Sequence, residues 1–410
     1  MVGFRTCFVK VFLLLLLFLT TGSIFAQCDD DQIVVVLSLD GFRWDYSQKT
    51  ATPTLNLMVK EGVRAESLIP CFPSKTFPNH YTMATGLYPA HHGLVNNSFY
   101  DPALDESYAI VKKQARFNPD FYDGEPIWIT AQKQGLHTAS FYWVGADVAI
   151  QNMYPDYWKD YNGGIPLIQR IDTIIKWLEM PEAQRPRLIM AYYHEPDGLG
   201  HAYGPDDART LNMVHELDSL TGILYKRIKA LPNAECINLI VLSDHGMSNT
   251  SSERNIVLGN LIPESWNVRI EGGNPMYNIY AQKPVVDSVY DRLKVVPHMQ
   301  VWKAGEVPAH LNYRDNPRIG DIVIVADSAW SITRFPPKKS FTGGTHGYDT
   351  RNKEMHTIFY AAGPAFKQGY AQPSFQNIHI YSLLAHLLGI VPVETDGSLE
   401  QVKGMLRRDN

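Results

Sequence analysis

Three apolar segments of this chain each deliver a carboxylate. Asp40 closes "VVVLSLD", Asp197 closes "IMAYYHEPD" and Asp244 closes "LIVLSD". Histidines accompany them: His201 four residues after Asp197 in "DGLGH", His245 beside Asp244, and His346 in the glycine-rich "GGTHGYD". Carboxylates and imidazoles without a thiolate suit zinc or another divalent first-row cation at a hydrolytic site. Six such groups furnish two three-ligand sites with open positions, and a pair of neighbouring cations clamps the attacking and leaving oxygens of a phosphoryl transfer. Singly, each residue says little, because turns favour aspartate and a lone loop histidine has many uses. The coincidence at three strand ends carries the argument. His80, His91, His92 and His194 lie close to the same motifs and read as structural or supporting residues.

The stretch "PSKTFPNHY", residues 73–81, supplies a nucleophile. Thr76 reads as the N-cap of a helix, with Pro78 in its first turn and Gly86 as its stop. Free N–H groups and the helix dipole favour an anion there. As a cap alone Thr76 would do no chemistry, but a hydroxyl beside a divalent cation loses its proton more readily and becomes a competent nucleophile.

These residues need a frame. The runs "QIVVVLSLD", "TASFYWVGAD", "RLIMAYYHEPD", "CINLIVLSDHG" and "HTIFYAAG" read as buried strands. Between them, "GGIPLIQRIDTIIKWLEM" and "ARTLNMVHELDSLTGILYKRIKAL" have apolar residues at helical spacing. This alternation predicts an α/β fold, a mostly parallel sheet sandwiched by helices. In such sheets ligands bind at the carboxyl ends of the strands, where the three aspartates fall. Spacing of four would align Asp197 and His201 on one helical face, but the two glycines between them favour a wrapped loop. The stretch 250–340, rich in Asn, Pro and Gly, reads as an inserted smaller α+β subdomain.

Six motifs in order, "DGFRWDY", "KTFPNHY", "TGLYPAHHGLVNN", "EPDGLGH", "SDHGM" and "GTHGYD", closely resemble the ectonucleotide pyrophosphatase/phosphodiesterase family, a branch of the alkaline phosphatase superfamily. The likeness runs over most of residues 32–390. It implies an alkaline phosphatase-like fold and two Zn2+ ions per chain, one held by Asp40, Thr76, Asp244 and His245 and the other by Asp197, His201 and His346. It implies Thr76 as nucleophile, forming a covalent phosphothreonine, and Asn97 as donor to a phosphate oxygen. Phe77 and Tyr161 would sandwich a nucleobase, while Lys75, Trp143, Asp147 and Tyr192 match other substrate-pocket positions. Taken alone, these aromatics would read as core. The family's cysteine-rich and nuclease-like modules have no counterpart, so the chain resembles the bare catalytic domain of bacterial relatives.

With 37 basic and 42 acidic residues, a net charge of −5, the chain has no basic footprint for duplex nucleic acid. Arg5 and Lys10 precede the apolar run "VFLLLLLFLTTGSIFA", the pattern of a signal peptide over 1–26 that leaves a catalytic domain over 27–410. Cleavage would remove two basic residues and no acidic one, giving −7. The expectation is an exported protein, periplasmic or extracellular, with no membrane span in the mature chain and no identifiable protein partner. Cys28, Cys71 and Cys236 would remain, too few and too irregular for a disulfide framework.

Several rivals stay open. Choline phosphodiesters are substrates of some family branches. A phosphomonoesterase would need cations for the extra phosphate charge, and no clear arginine stands beside the motif residues assigned to the site. "CFPSK" nearly matches a sulfatase maturation signal, with Lys75 in place of the required arginine. A binding module with the same fold would have lost a ligand, and none is missing.

Overall fold

All seven residues of the strand Ile33–Leu39 (β1) are buried, and they alternate between two cores: Val34 and Val36 face one, Ile33, Val35, Leu37 and Leu39 the other. A strand buried on both faces belongs inside a sheet covered by helices. β1 pairs in parallel with Leu188–Tyr193 (β2) on one side and Ile237–Leu242 (β3) on the other. The computed structural model describes residues 32–407. It has an eight-stranded sheet in the order Tyr370–Gln372, Val63–Ala65, Phe359–Ala362, β3, β1, β2, Thr138–Phe141, Tyr157–Trp158. Only Phe359–Ala362 runs antiparallel to its neighbours.

Helices cover both faces. On one, Leu167–Leu178 buries Ile171, Ile174 and Leu178, and Ala208–Lys229 buries Val214, Leu217, Leu224 and Ile228. On the other lie Thr76–Thr85 (α1), Ile127–Lys133 and Ile380–Leu388. Each aliphatic side chain so buried stabilises the fold by roughly 1.5–3 kcal/mol before entropy is counted. After β3 comes a separate four-stranded antiparallel sheet, ordered Arg269–Gly273, Met276–Tyr280, Ile322–Ala326, Met299–Lys303. Helix Lys283–Leu293 packs Val289 and Leu293 into its own core.

The three central strands end level, since Leu39 lies opposite Tyr193 and Ser38 opposite Leu242. This edge is the carboxyl end of parallel strands, where ligands bind in open α/β sheets. Asp40 directly follows β1 and Asp244 lies two residues beyond β3. Asp197 differs from the sequence reading: it does not close β2 but opens the helix Asp197–Tyr203 (α2), four residues past the strand. The expected wrapped loop is therefore also replaced by helix. Its glycines serve close packing rather than unwinding, since a Cβ on Gly200 would lie 3.0 Å from Met247 Cε. Glu195 Oε2 accepts from the Leu199 N–H at 3.1 Å, satisfying a donor of the first turn.

The signal peptide expected over 1–26 lies outside the described residues, as does Cys28. Cys71 is a free, buried thiol donating to Asn377 Oδ1 at 3.1 Å, and Cys236 is disulfide-bonded. Among the described residues no helix is long and apolar enough to cross a membrane.

Candidate active site

Two ligand trios form at the strand ends: Asp40, Asp244 and His245, and Asp197, His201 and His346, the ligand atoms within each lying inside 4.8 Å of one another. The β1 and β2 ends are drawn together by backbone bonds, Asp40 N to Tyr193 O at 2.9 Å and Asp197 N to Asp40 O at 3.0 Å. Gly41 permits this approach: its φ is +70°, and a Cβ there would lie 2.9 Å from Asp197 Cα. His346 comes from far away in sequence, delivered by a ribbon that pairs Ser248–Ser251 with Thr342–Thr345. It stacks on His245 with ring centroids 3.4 Å apart.

The donor sets fit divalent cations. Asp40 Oδ1, Asp244 Oδ2 and Asp197 Oδ1 are buried without a hydrogen-bond partner. His245 Nε2 lies 3.3 Å from Asp40 Oδ1 and 3.2 Å from Asp244 Oδ2; His201 Nε2 is 3.4 Å from Asp197 Oδ1 and 3.1 Å from His346 Nε2. A tetrahedral ion bound at about 2.0–2.1 Å sets its ligand atoms roughly 3.3 Å apart. Each histidine also bonds a backbone carbonyl through Nδ1: His245 to Gly246 O at 2.9 Å, His201 to Gly344 O at 2.8 Å and His346 to Ser74 O at 2.8 Å. A carbonyl only accepts, so Nδ1 carries the proton and every Nε2 lone pair is turned into the cluster, as metal ligation requires.

The electrostatics say the same. Burial raises all three carboxyls, reinforced at Asp40 by Asp244 and Asp197 and at Asp244, which reaches about 7, by Asp197. Burial likewise holds His245 and His346 well below the usual imidazole value. Neutral imidazoles beside carboxylates too crowded to keep their charge form a site that cations relieve.

Thr76 is not the N-cap, contrary to the sequence reading. Lys75 holds the cap position, and Thr76 is the first helical residue of α1. The reason is that Lys75 O accepts the first helical bond, from Asn79 N at 3.1 Å, whereas Thr76 Oγ1 turns to His245 Nε2 at 3.1 Å. Gly86 ends the helix in the left-handed region, as its position suggested. The N–H of Phe77 donates to Asn97 Oδ1 at 3.1 Å. With that oxygen engaged, Asn97 has its NH2 left to offer a ligand.

The remaining predicted pocket residues divide. Lys75 is buried, donates to Asn274 O at 2.6 Å, and is pulled down to about 7 by burial. Phe77 is half-buried against Tyr108, and Tyr161 is 46 % exposed beside Tyr142. Asp147 is raised by burial and faces Arg116, whose Nη2 lies 3.7 Å away. Two residues depart from the expectation of a pocket wall. Trp143 is 1 % exposed, its indole N–H spent on His80 O at 3.0 Å. Tyr192 gives its hydroxyl to Asp40 Oδ2 at 2.6 Å, so it supports a ligand. Cys71, the residue a sulfatase would convert, points into the core at Asn377.

The sequence reading missed Arg116 and Ser74. Arg116 has no local signal, since only the tertiary fold brings it to Asp147. Ser74 was legible only as a letter of "PSKTF"; its carbonyl holds His346 and its hydroxyl accepts from Gly347 N at 3.0 Å.

Comparison with known proteins agrees with this geometry. The profile of the family described as type I phosphodiesterase / nucleotide pyrophosphatase matches residues 34–349. Ectonucleotide pyrophosphatase/phosphodiesterase family member 3 of Rattus norvegicus is 34% identical over 92% of this chain and 44% of its own length, and family member 1 of Homo sapiens is 33% identical over 91% and 42%. The chain thus spans less than half the length of these curated relatives. Venom phosphodiesterase 2 of Crotalus adamanteus is 34% identical over 91% of the chain. Murine ectonucleotide pyrophosphatase/phosphodiesterase 5, solved as an inactive threonine-to-alanine variant in complex with AMP, has a TM-score of 0.87 at 36% identity, covering 92% of this chain and 100% of that one. The chain, with its alkaline phosphatase-like α/β fold, belongs to the ectonucleotide pyrophosphatase/phosphodiesterase family.

Proposed function

We propose that this protein is an exported, zinc-dependent nucleotide pyrophosphatase/phosphodiesterase that releases nucleoside 5′-monophosphates through a covalent threonine intermediate. The observation that carries the reading is Thr76 Oγ1 at the mouth of α1, 3.1 Å from His245 Nε2, beside two ligand trios whose Asp40 Oδ1, Asp244 Oδ2 and Asp197 Oδ1 are buried without a partner. Asp40, Asp244, His245 and Thr76 would hold one Zn2+, and Asp197, His201 and His346 the other. Such ions, when bound, ease deprotonation of a hydroxyl and offset charge on phosphate oxygens.

The protein's own groups supply the rest. Thr76 oxygen attacks phosphorus in line, the P–O bond to the leaving group breaks, and the α-phosphoryl nucleoside is carried on Thr76. Asn97 NH2 donates to a non-bridging oxygen, where charge develops. The N-terminus of α1 faces the same anion. Phe77 and Tyr161 flank the base, each stacking contact worth roughly 1–3 kcal/mol and tolerant of base identity. Water then cleaves the phosphothreonine, restoring the hydroxyl and releasing the monophosphate. Positioning and electrostatics supply nearly all the acceleration in such transfers.

Thr76→Ala tests this directly. With two metals retained, cleavage of ATP to AMP and pyrophosphate should fall by on the order of 10⁴-fold or more; undiminished turnover refutes the nucleophile. Parallel assays with NAD, a dinucleotide and glycerophosphocholine rank the substrates. Preference for the last would replace the nucleotide reading with a choline-phosphodiester one.

A further inference from the structure

An imidazole that neither trio uses lies beneath the nucleophile. His80, fully buried, stands four residues after Thr76 on α1. Its Nδ1 is 2.9 Å from Thr76 O and its Nε2 is 2.8 Å from Ser38 Oγ of β1. Trp143 and Tyr192 hold the ring edge-on, each with its centroid 5.1 Å away. Because the Thr76 carbonyl can only accept, Nδ1 carries the proton, Nε2 accepts, and the Ser38 hydroxyl donates. The neighbouring Asp244 Oδ2 lies 3.4 Å from the same Nδ1.

The other end of that peptide unit is also held. Phe77 N–H donates to Asn97 Oδ1 at 3.1 Å. The peptide joining Thr76 to Phe77 is therefore gripped at its carbonyl by His80 and at its N–H by Asn97. One of its ends bears the nucleophilic hydroxyl, and the other orients the amide that meets the phosphate oxygen.

We propose that His80, set in its tautomer by the Thr76 carbonyl and braced by the Ser38 hydroxyl, is a positioning residue that fixes the Thr76 hydroxyl and the Asn97 amide relative to each other across the reacting phosphate. This rests on the reading of Thr76 as nucleophile. His80 reaches no substrate atom and acts only through this peptide. Displacing a reacting group by about 1 Å can slow a reaction roughly 10²-fold, so a loosened grip should appear in kcat while ground-state binding is spared.

The competing role, a ring that merely fills space between Trp143 and Tyr192, makes the opposite ranking of variants. His80→Phe keeps the ring and removes the donor; His80→Asn loses bulk but keeps an N–H near the place of Nδ1. Steady-state rates on a nitrophenyl nucleotide diester, zinc content per chain and Tm are measured for both, for Ser38→Ala, and for Thr76→Ala. His80→Phe should lower kcat by about 10- to 100-fold with KM within about twofold and zinc unchanged. His80→Asn should recover several-fold of that loss despite a lower Tm, and Ser38→Ala should lose a few-fold in kcat. Full kcat in His80→Phe, an Asn variant slower than the Phe variant, or a loss that tracks lost zinc overturns the proposal. If His80→Phe does not fold, Ser38→Ala decides: lowered kcat at constant KM supports the grip, and unchanged kcat rejects it. An active Thr76→Ala would sink the nucleophile reading itself, whereas a dead Thr76→Ala beside a fully active His80→Phe sinks only this inference.

Discussion

In the trio of Asp40, Asp244 and His245 no side chain is more than 3% exposed, whereas in the other His201 is 41% and Asp197 17% exposed. The buried trio is also the better braced. Tyr192 donates to Asp40 Oδ2 at 2.6 Å, and Gly41 N and Ser243 Oγ donate to Asp244 Oδ1, each at 3.2 Å. One oxygen of each aspartate, Asp40 Oδ1, Asp244 Oδ2 and Asp197 Oδ1, is left without a partner. Charge is hardest to keep where water is absent, so the buried trio couples cation binding to stability as well as to chemistry. The other trio is open to solvent on the side of His201, while His346 in it stays buried. Thr76, bonded to His245, belongs to the buried side.

The sharpest way to break this contrast is Asp244→Asn. Activity should fall by on the order of 10⁴-fold or more, as for loss of a member of a catalytic unit. The metal-free protein should nevertheless gain stability. Asp244 titrates near 7 in the fold, above its unfolded value, so the folded state binds more protons and the penalty grows as pH rises toward 7. Removing the charge lifts that penalty, and Tm measured with chelator at pH 8 should rise by roughly 1 °C per kcal/mol recovered, the shift expected for a chain of this length. A lower chelated Tm would mean that the buried trio is not strained by its charge.

His201→Ala probes the open side. A loss of about 10²–10³-fold, the range for removing one stabilising group at a reacting centre, is expected. Chelated Tm should stay unchanged, since the side chain is already 41% exposed. Added zinc should restore part of the rate, because the buried trio keeps its full ligand set. A variant that loses both metals would show the trios to be one cooperative unit.

Sequence made the buried side more legible than the open one. Asp40 and Asp244 follow strands whose apolar runs are unambiguous, and β-register alone carries them to one edge. Asp197 was placed wrongly because Gly198 and Gly200 were read by their freedom in isolation, whereas here they yield to tight packing on Met247 and Glu195. Trp143 and Tyr192 were legible as aromatic letters of a pocket, but no local signal tells whether an indole N–H points at a ligand or at His80 O. Arg116 shows the same limit, since a contact made by chain folding alone leaves no periodicity to read. The edge of the sheet was written locally, while the lining of the crevice is a property of long-range packing.

Tyr192→Phe sharpens the contrast by removing one brace. The ring stays to pack against His80, while Asp40 Oδ2 loses its donor. Partners of this kind are worth about 10–100-fold in metal affinity. Competition titration with a chelator should show the tighter of two zinc-binding steps weakened by that factor, with the looser step unchanged. Equal weakening of both would place the brace outside the buried trio.

The smallest expected effect is the pH dependence of metal binding, and its sign follows from which groups carry protons beforehand. His245 and His346, held well below the usual imidazole value by burial, are neutral across pH 6–8 and release none. Asp244, raised to about 7, and Asp40, raised well above the usual carboxylate value by burial and by Asp244 and Asp197, must give up any proton they hold to bind. Affinity at the buried trio should therefore rise with pH, falling by about tenfold or more for each unit below pH 7, at least one proton being released per ion. The shift belongs to the buried side because Asp197, though raised by burial, is pulled back by His201 and Lys75. Zinc titrations of the metal-free protein at pH 6, 7 and 8 read the slope directly. A flat response from pH 6 to 8 would mean that no carboxyl of the buried trio holds an exchangeable proton.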